Sequence, residues 1–172
     1  MLLLVLFSIS AAEDIARSAL NGYAPPVREV LNNAFDVGEL LEFSINWGYM
    51  NVGKASMAIK QIAVKNSRPC YEIEAAARSN RVLSSIYRVN DLFISFLDTS
   101  AIMPQEYFKY QNEGNYHFDQ QTYFDHPGRK AKTRGRRTIM RNISIKDSTL
   151  VIPEEVYDVI SAFYYTRLKK LK

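Results

Sequence analysis

Residues 33–59 read NAFDVGELLEFSINWGYMNVGKASMAI, and this stretch decides the fold. From residue 39 to 47 the side chains alternate, with Leu41, Phe43, Ile45 and Trp47 on one side and Glu42, Ser44 and Asn46 on the other. Neighbouring residues of a strand point to opposite faces, so this is the pattern of a half-buried β-strand. Gly48-Tyr49-Met50-Asn51 interrupts it as a turn. Beyond the turn Gly53, Ala55, Met57 and Ile59 face one way and Lys54, Ser56 and Lys60 the other. The two strands make a hairpin. Small residues at Gly53 and Ala55 leave room across the pair for Trp47 and Ile45, which predicts a curved sheet with a packed inner face.

Working outward from this hairpin, residues 69–78 alternate Tyr71, Ile73, Ala75 and Ala77 against Glu72, Glu74 and Arg78, a third strand. Residues 79–89 read either as a helical turn, with Val82, Leu83 and Ile86 on one face, or as a loop. Residues 91–98 are apolar on both faces, as in a strand covered on one side by the core and on the other by a helix. After Pro104, residues 106–111 and 115–125 read as strands parted by Glu113-Gly114, and His126-Pro127-Gly128-Arg129 as the next turn.

The most charged part of the chain follows, with Lys130, Lys132, Arg134 and Arg136 at two-residue spacing on one face of a strand. A turn at 126–129 sets Asp125 opposite Lys130, Tyr123 opposite Lys132, Gln121 opposite Arg134 and Asp119 opposite Arg136. This run, with Arg129, reads either as a solvated hairpin face or as a patch for lipid headgroups, acidic polysaccharide or an envelope protein. Residues 139–152 read as one more hairpin turning at Asp147-Ser148. A helix is then expected from Pro153, with Glu154 and Glu155 at its positive end and Lys169 and Lys170 at the other. Val156, Ile160, Phe163 and Leu171, broadened by Val159, Tyr164 and Leu168, form its apolar stripe.

Upstream, residues 1–12 carry the apolar run LLLVLF and then small residues, which reads as a signal peptide lacking the usual basic start, cleaved before Glu13. No cysteine follows it, so a lipid-modified N-terminus is not expected. Residues 13–33, with Pro25-Pro26, read as a strap across the domain, and residues 34–172 as the β-rich domain itself. Export to the periplasm argues against nucleic acid as the partner of a chain with formal charge +4. No stretch of the mature chain has the length, about 20 apolar residues, of a membrane helix.

Catalytic and metal signatures are sparse. Cys70, the only cysteine, has neither histidine near it in sequence and reads as a bystander. His117 and Asp119 share a face, but Asp125 falls about 20 Å further along at roughly 3.3 Å per residue, so no metal site is expected. No cofactor motif is present.

Several blocks resemble a bacterial exported family called domain of unknown function 3108. The first is NNAFDVGELLEFSINWGYMNVGKASM at 32–57; others are YRVND at 87–91 with Ser95 and Asp98, Met103-Pro104, EGNY at 113–116, and YDVISAFYY at 157–165 followed by Arg167. The resemblance covers about residues 34–167. It implies a periplasmic, mainly antiparallel β domain and no activity. It also implies further strands after the helix, so the domain reads either as incomplete at its C-terminal end or as a short member that closes as a half-barrel.

The expectation is therefore a mainly β protein, an antiparallel curved sheet of about seven to nine strands, half-barrel or barrel, with one C-terminal amphipathic helix. Its functional reading is a non-enzymatic envelope protein holding an apolar small molecule or lipid against Trp47, Met57, Phe163 and Tyr164. The alternative is an interaction module docking through its basic face. An enzyme is the least favoured reading. Its acids would be Asp91, Asp98 and Asp158, for which capping and turn roles are simpler.

Overall fold

The structure, a computed structural model, describes residues 28–169. The expected signal peptide, residues 13–27 of the expected strap, and Lys170 and Leu171 of the expected helix lie outside them. Eight antiparallel strands form one curved sheet in chain order: β1 (Leu40–Trp47), β2 (Met50–Lys65), β3 (Arg68–Ser79), β4 (Asn90–Asp98), β5 (Pro104–Glu113), β6 (Tyr116–Asp125), β7 (Lys130–Ile139) and β8 (Asn142–Val151). A single helical turn, α1 (Arg81–Ser84), joins β3 to β4, and α2 (Val159–Leu168) follows β8. The meander follows from the tight turns. The β2–β3 turn holds Asn66 and Ser67 both at positive φ, 50° and 58°, the backbone of a two-residue hairpin whose twist matches its strands.

The register expected for the basic hairpin is the one present, with Asp125, Tyr123, Gln121 and Asp119 paired to Lys130, Lys132, Arg134 and Arg136. Four expectations are corrected. β2 runs past Ile59 to Lys65, because a bulge between Ile59 and Gln61 shifts the register and breaks the alternation that marked the strand. Residues 139–152 contain one strand rather than a hairpin. The chain turns at Met140, whose φ is 54° and whose N–H donates to the Asn115 carbonyl, and Asp147 and Ser148 sit inside β8 opposite Arg134 and Thr133.

The helix begins at Val159 rather than Pro153. Ile152 donates its backbone N–H to Arg129 and packs with Phe124, Ala131 and Val156, which holds the intervening segment across the end of the sheet. Asp158 then caps α2, accepting from the N–H groups of Ile160 and Ser161 at 2.8 and 2.9 Å. Finally, the sheet is not closed into a barrel: β1 pairs with β2, β8 with β7, and the two do not meet. The core forms instead where α2 and the segment before β1 cover one face of β2–β4.

That core is Phe35, Ile59, Tyr71, Ile73, Leu97, Ile102, Ile160 and Tyr164. Burying each large aliphatic side chain stabilises the fold by about 1.5–3 kcal/mol. Phe35 meets Tyr164 edge to face at 4.6 Å between ring centres. Arg167 ties the helix end to the start of β1, donating to both oxygens of Glu39 at 2.5 and 2.8 Å and to the Ala34 carbonyl at 3.0 Å. Its guanidinium holds the Glu39 carboxyl below the usual carboxylate range. Residues 91–98, expected between the core on one face and a helix on the other, have core and helix together on one face. On the other the cover comes from within the sheet, Phe96 packing on Phe108 at 6.0 Å and Phe108 on Tyr123 at 6.1 Å.

Candidate functional site

Strand pairing places directly opposed residues on the same face, so one row can be followed across all eight strands: Leu41, Met57, Ala75, Phe93, Lys109, Gln120, Gly135 and Lys146. This is the face that carries α2. That row is apolar from β1 to β4 and, apart from Gly135, polar from β5 to β8. Where α2 begins it does not cover the whole apolar part. A cleft of about 260 Å³ remains, lined by Phe43, Ala55, Ser56, Met57, Ala75, Ala76, Ala77, Phe93, Val159 and Ile160. Its floor is made of alanines on adjacent strands, Ala55 paired with Ala77 and Met57 with Ala75. Side chains this short leave the volume that larger residues on the same strands would fill.

One wall of the cleft rests on a buried polar contact. Ser95, fully buried in β4, donates its hydroxyl to Asp158 Oδ2 at 2.7 Å. Burial raises the Asp158 carboxyl above its ordinary pKa, against the hydrogen bonds from Ser161, Ser95 and Ile160 that lower it. The Tyr107 phenol is pushed up to about 12, first by burial and then by the charge of Asp158. Ser95 has no histidine to activate it. His117 Nδ1 lies 2.8 Å from Asn112 Oδ1, and His126 is buried with Nε2 2.6 Å from the Pro104 carbonyl.

The other acids in the resembling blocks are engaged elsewhere. Asp98 forms a buried ion pair with Arg68 and accepts from the N–H groups of Ser100 and Ala101, which shapes the β4–β5 turn. Asp91 accepts from the Asn112 N–H at 2.9 Å. Burial pushes the Cys70 thiol up to about 12, with the Asp98 charge adding to the shift, so it stays protonated at neutral pH. Among the described residues no three His, Cys, Asp or Glu side chains converge as metal ligands.

The basic run lies on the opposite face of the sheet. Gly135 belongs to the row of the cleft, so Arg134 and Arg136 point away from it, with Lys130 and Lys132. Arg134 approaches Asp147 at 3.5 Å, both side chains well exposed. Lys130, Lys132 and Arg136 make no ion pair within 4 Å among the described residues.

Of the apolar residues singled out from the sequence, Met57 lines the cleft. Phe163 packs against the core and Tyr164 is wholly inside it. Trp47, expected on the packed inner face, is 74% exposed at the tip of the first hairpin, paired with Met50 beyond the reach of α2. Sequence reasoning missed Phe43, Ala75, Ala77, Phe93 and Val159. The available signal was the run Ala75-Ala76-Ala77, which puts small side chains on both faces of β3 beside the small residues of β2.

The sequence profile of the family described as "Protein of unknown function (DUF3108)" matches residues 42–172. No curated protein and no solved structure matches the chain.

Proposed function

The chain belongs to the DUF3108 family of proteins of unknown function, and from that premise we propose that it is a non-enzymatic exported protein which holds one apolar, lipid-like chain on the helix-bearing face of its sheet. The observation that carries the reading is the alanine-floored cleft between β1–β4 and the start of α2. Its volume, about 260 Å³, lies near the lower end of ordinary ligand pockets, about 300 Å³. That suits one acyl chain better than a bulky ring system. Exposed Phe43, Ile45 and Trp47 extend the apolar surface along β1 from the cleft, so a longer chain would continue to meet apolar side chains.

A non-catalytic role is supported by the acids. Asp98 and Asp158 serve backbone caps, Asp91 serves a cross-strand bond, and none meets a nucleophile-base pair. Residence in the periplasm rests on the apolar N-terminal run ending in small residues.

The experiment is native mass spectrometry of the purified full chain, then solvent extraction and identification of what is released, for the wild type and for Ala75→Leu. The wild type is expected to carry a stoichiometric lipid-like adduct. Ala75→Leu fills the floor of the cleft and is expected to be folded by circular dichroism and adduct-free. A folded wild type that carries no adduct and takes up no added fatty acid refutes the proposal, as does an adduct that survives in the folded variant.

A further inference from the structure

On the face of the sheet away from the cleft, we infer that β7 and β8 form a docking surface for an anionic lipid bilayer. The inference does not depend on what the cleft holds. Lys130, Lys132, Arg134 and Arg136 stand in one line, about 7 Å apart at two strand residues per step. On β6–β8 three acids share the face, Asp119, Asp125 and Asp147; Glu106 on β5 also lies on it, paired with Lys65 at 2.8 Å. Asp125 also accepts from the Gly128 N–H at 2.9 Å, and Asp147 is the one nearest a ladder cation. Arg129 and Arg141 lie in the turns at the two ends of β7. Over β6–β8 and the turns at the ends of β7 the balance is six cations against three carboxylates, a field that attracts anions.

Charge alone would suit any polyanion. The choice of a bilayer comes from β8. Its pairing with β7 sets Val151 beside Lys130, Ile145 beside Arg136 and Ile143 beside Thr138, all on the basic face. These aliphatic residues are 85%, 58% and 58% exposed. A hydrated acidic polymer offers nothing for such side chains to enter. A bilayer interface takes cations at its headgroups and aliphatic side chains at the acyl boundary beneath them. Cations and aliphatics in adjacent rows of one exposed face fit that layering.

The test is co-sedimentation of the full chain with vesicles of phosphatidylcholine alone and of phosphatidylcholine mixed with phosphatidylglycerol, at low and high salt. Arg136→Ser, Lys132→Ser and Ile145→Ser change the docking face. Arg137→Ser removes the same charge as Arg136→Ser from the opposite face of the same strand, and every protein keeps the same N-terminal residues. Binding is expected to the mixed vesicles, weakened by salt, with each of Arg136→Ser and Lys132→Ser lowering affinity about fivefold. Ile145→Ser is expected to weaken it further and Arg137→Ser to leave it unchanged. No preference for the mixed vesicles overturns the inference, and so does an equal loss from Arg137→Ser, which would mean that net charge is sufficient. Soluble polyglutamate binding as tightly as the vesicles, with Ile145→Ser unaffected, overturns it in favour of an acidic polymer.

Discussion

Replacing Asp158 by alanine and by asparagine separates a structural role from a chemical one. The carboxylate accepts from two N–H groups at the start of α2 and from the buried Ser95 hydroxyl. Asp158→Ala removes the cap, worth about 1 kcal/mol, and leaves the Ser95 hydroxyl buried without its partner, which costs about 1–3 kcal/mol. The sum is about 2–4 kcal/mol. For a chain of this size it lowers Tm by roughly 5–15 °C. Asp158→Asn keeps an oxygen for the cap and places an amide against Ser95, whose hydroxyl can accept as well as donate, so its stability is expected within about 1 kcal/mol of wild type. The assay is urea unfolding followed by far-ultraviolet circular dichroism, with the slope checked for constancy.

The pH dependence carries a second check on the same residue. Burial raises the folded pKa of Asp158 above its ordinary value of 3.8, so the folded state holds that proton more tightly than the unfolded chain. The stabilisation this brings is fully present below the ordinary value and is lost as pH rises through the folded one. Asparagine has no such loss. The variant is therefore expected to gain on the wild type as pH rises above about 4. If Asp158→Asn proves as unstable as Asp158→Ala at every pH, the cap-and-hydroxyl account is wrong.

Three further outcomes are expected. Arg167→Lys cannot reproduce the two-pronged contact with Glu39 and the bond to Ala34 and should destabilise by about 1 kcal/mol, after discounting for partial exposure; because the Glu39 pKa is lowered from 4.5, the stability it contributes is present above that value and lost as acid titrates the folded group, a dependence that calorimetry on Glu39→Gln should show abolished. Gly53→Ala should cost about 1–3 kcal/mol, since an added Cβ would lie 2.5 Å from the Arg78 carbonyl oxygen on β3; chemical denaturation measures it, and a neutral variant would show that the two strands can part there. Cys70, buried and with its thiol raised to about 12, should react with an aromatic disulfide reagent only once denaturant unfolds the chain; rapid labelling of the native protein would contradict its placement.

The sequence by itself determined the all-antiparallel character, most strand positions and the residue-by-residue pairing of β6 with β7. Those features depend on near neighbours in the chain: period-two alternation, a turn between adjacent strands, and opposite charges that meet once the turn is placed. Wherever the local pattern was broken by a long-range partner, the reading failed. The bulge at Ile59 hid the last third of β2, and the packing of Ile152 with Phe124 and Ala131 moved the helix start six residues on. The candidate site, apart from Met57, belonged to the second kind. Which alanines face the cleft, that Trp47 lies beyond the reach of α2, and that the basic row shares its face with Ile143, Ile145 and Val151 all depend on how eight strands curve and where one helix stops covering them. A cavity is space that no residue fills, and only the tertiary structure decides where that space remains.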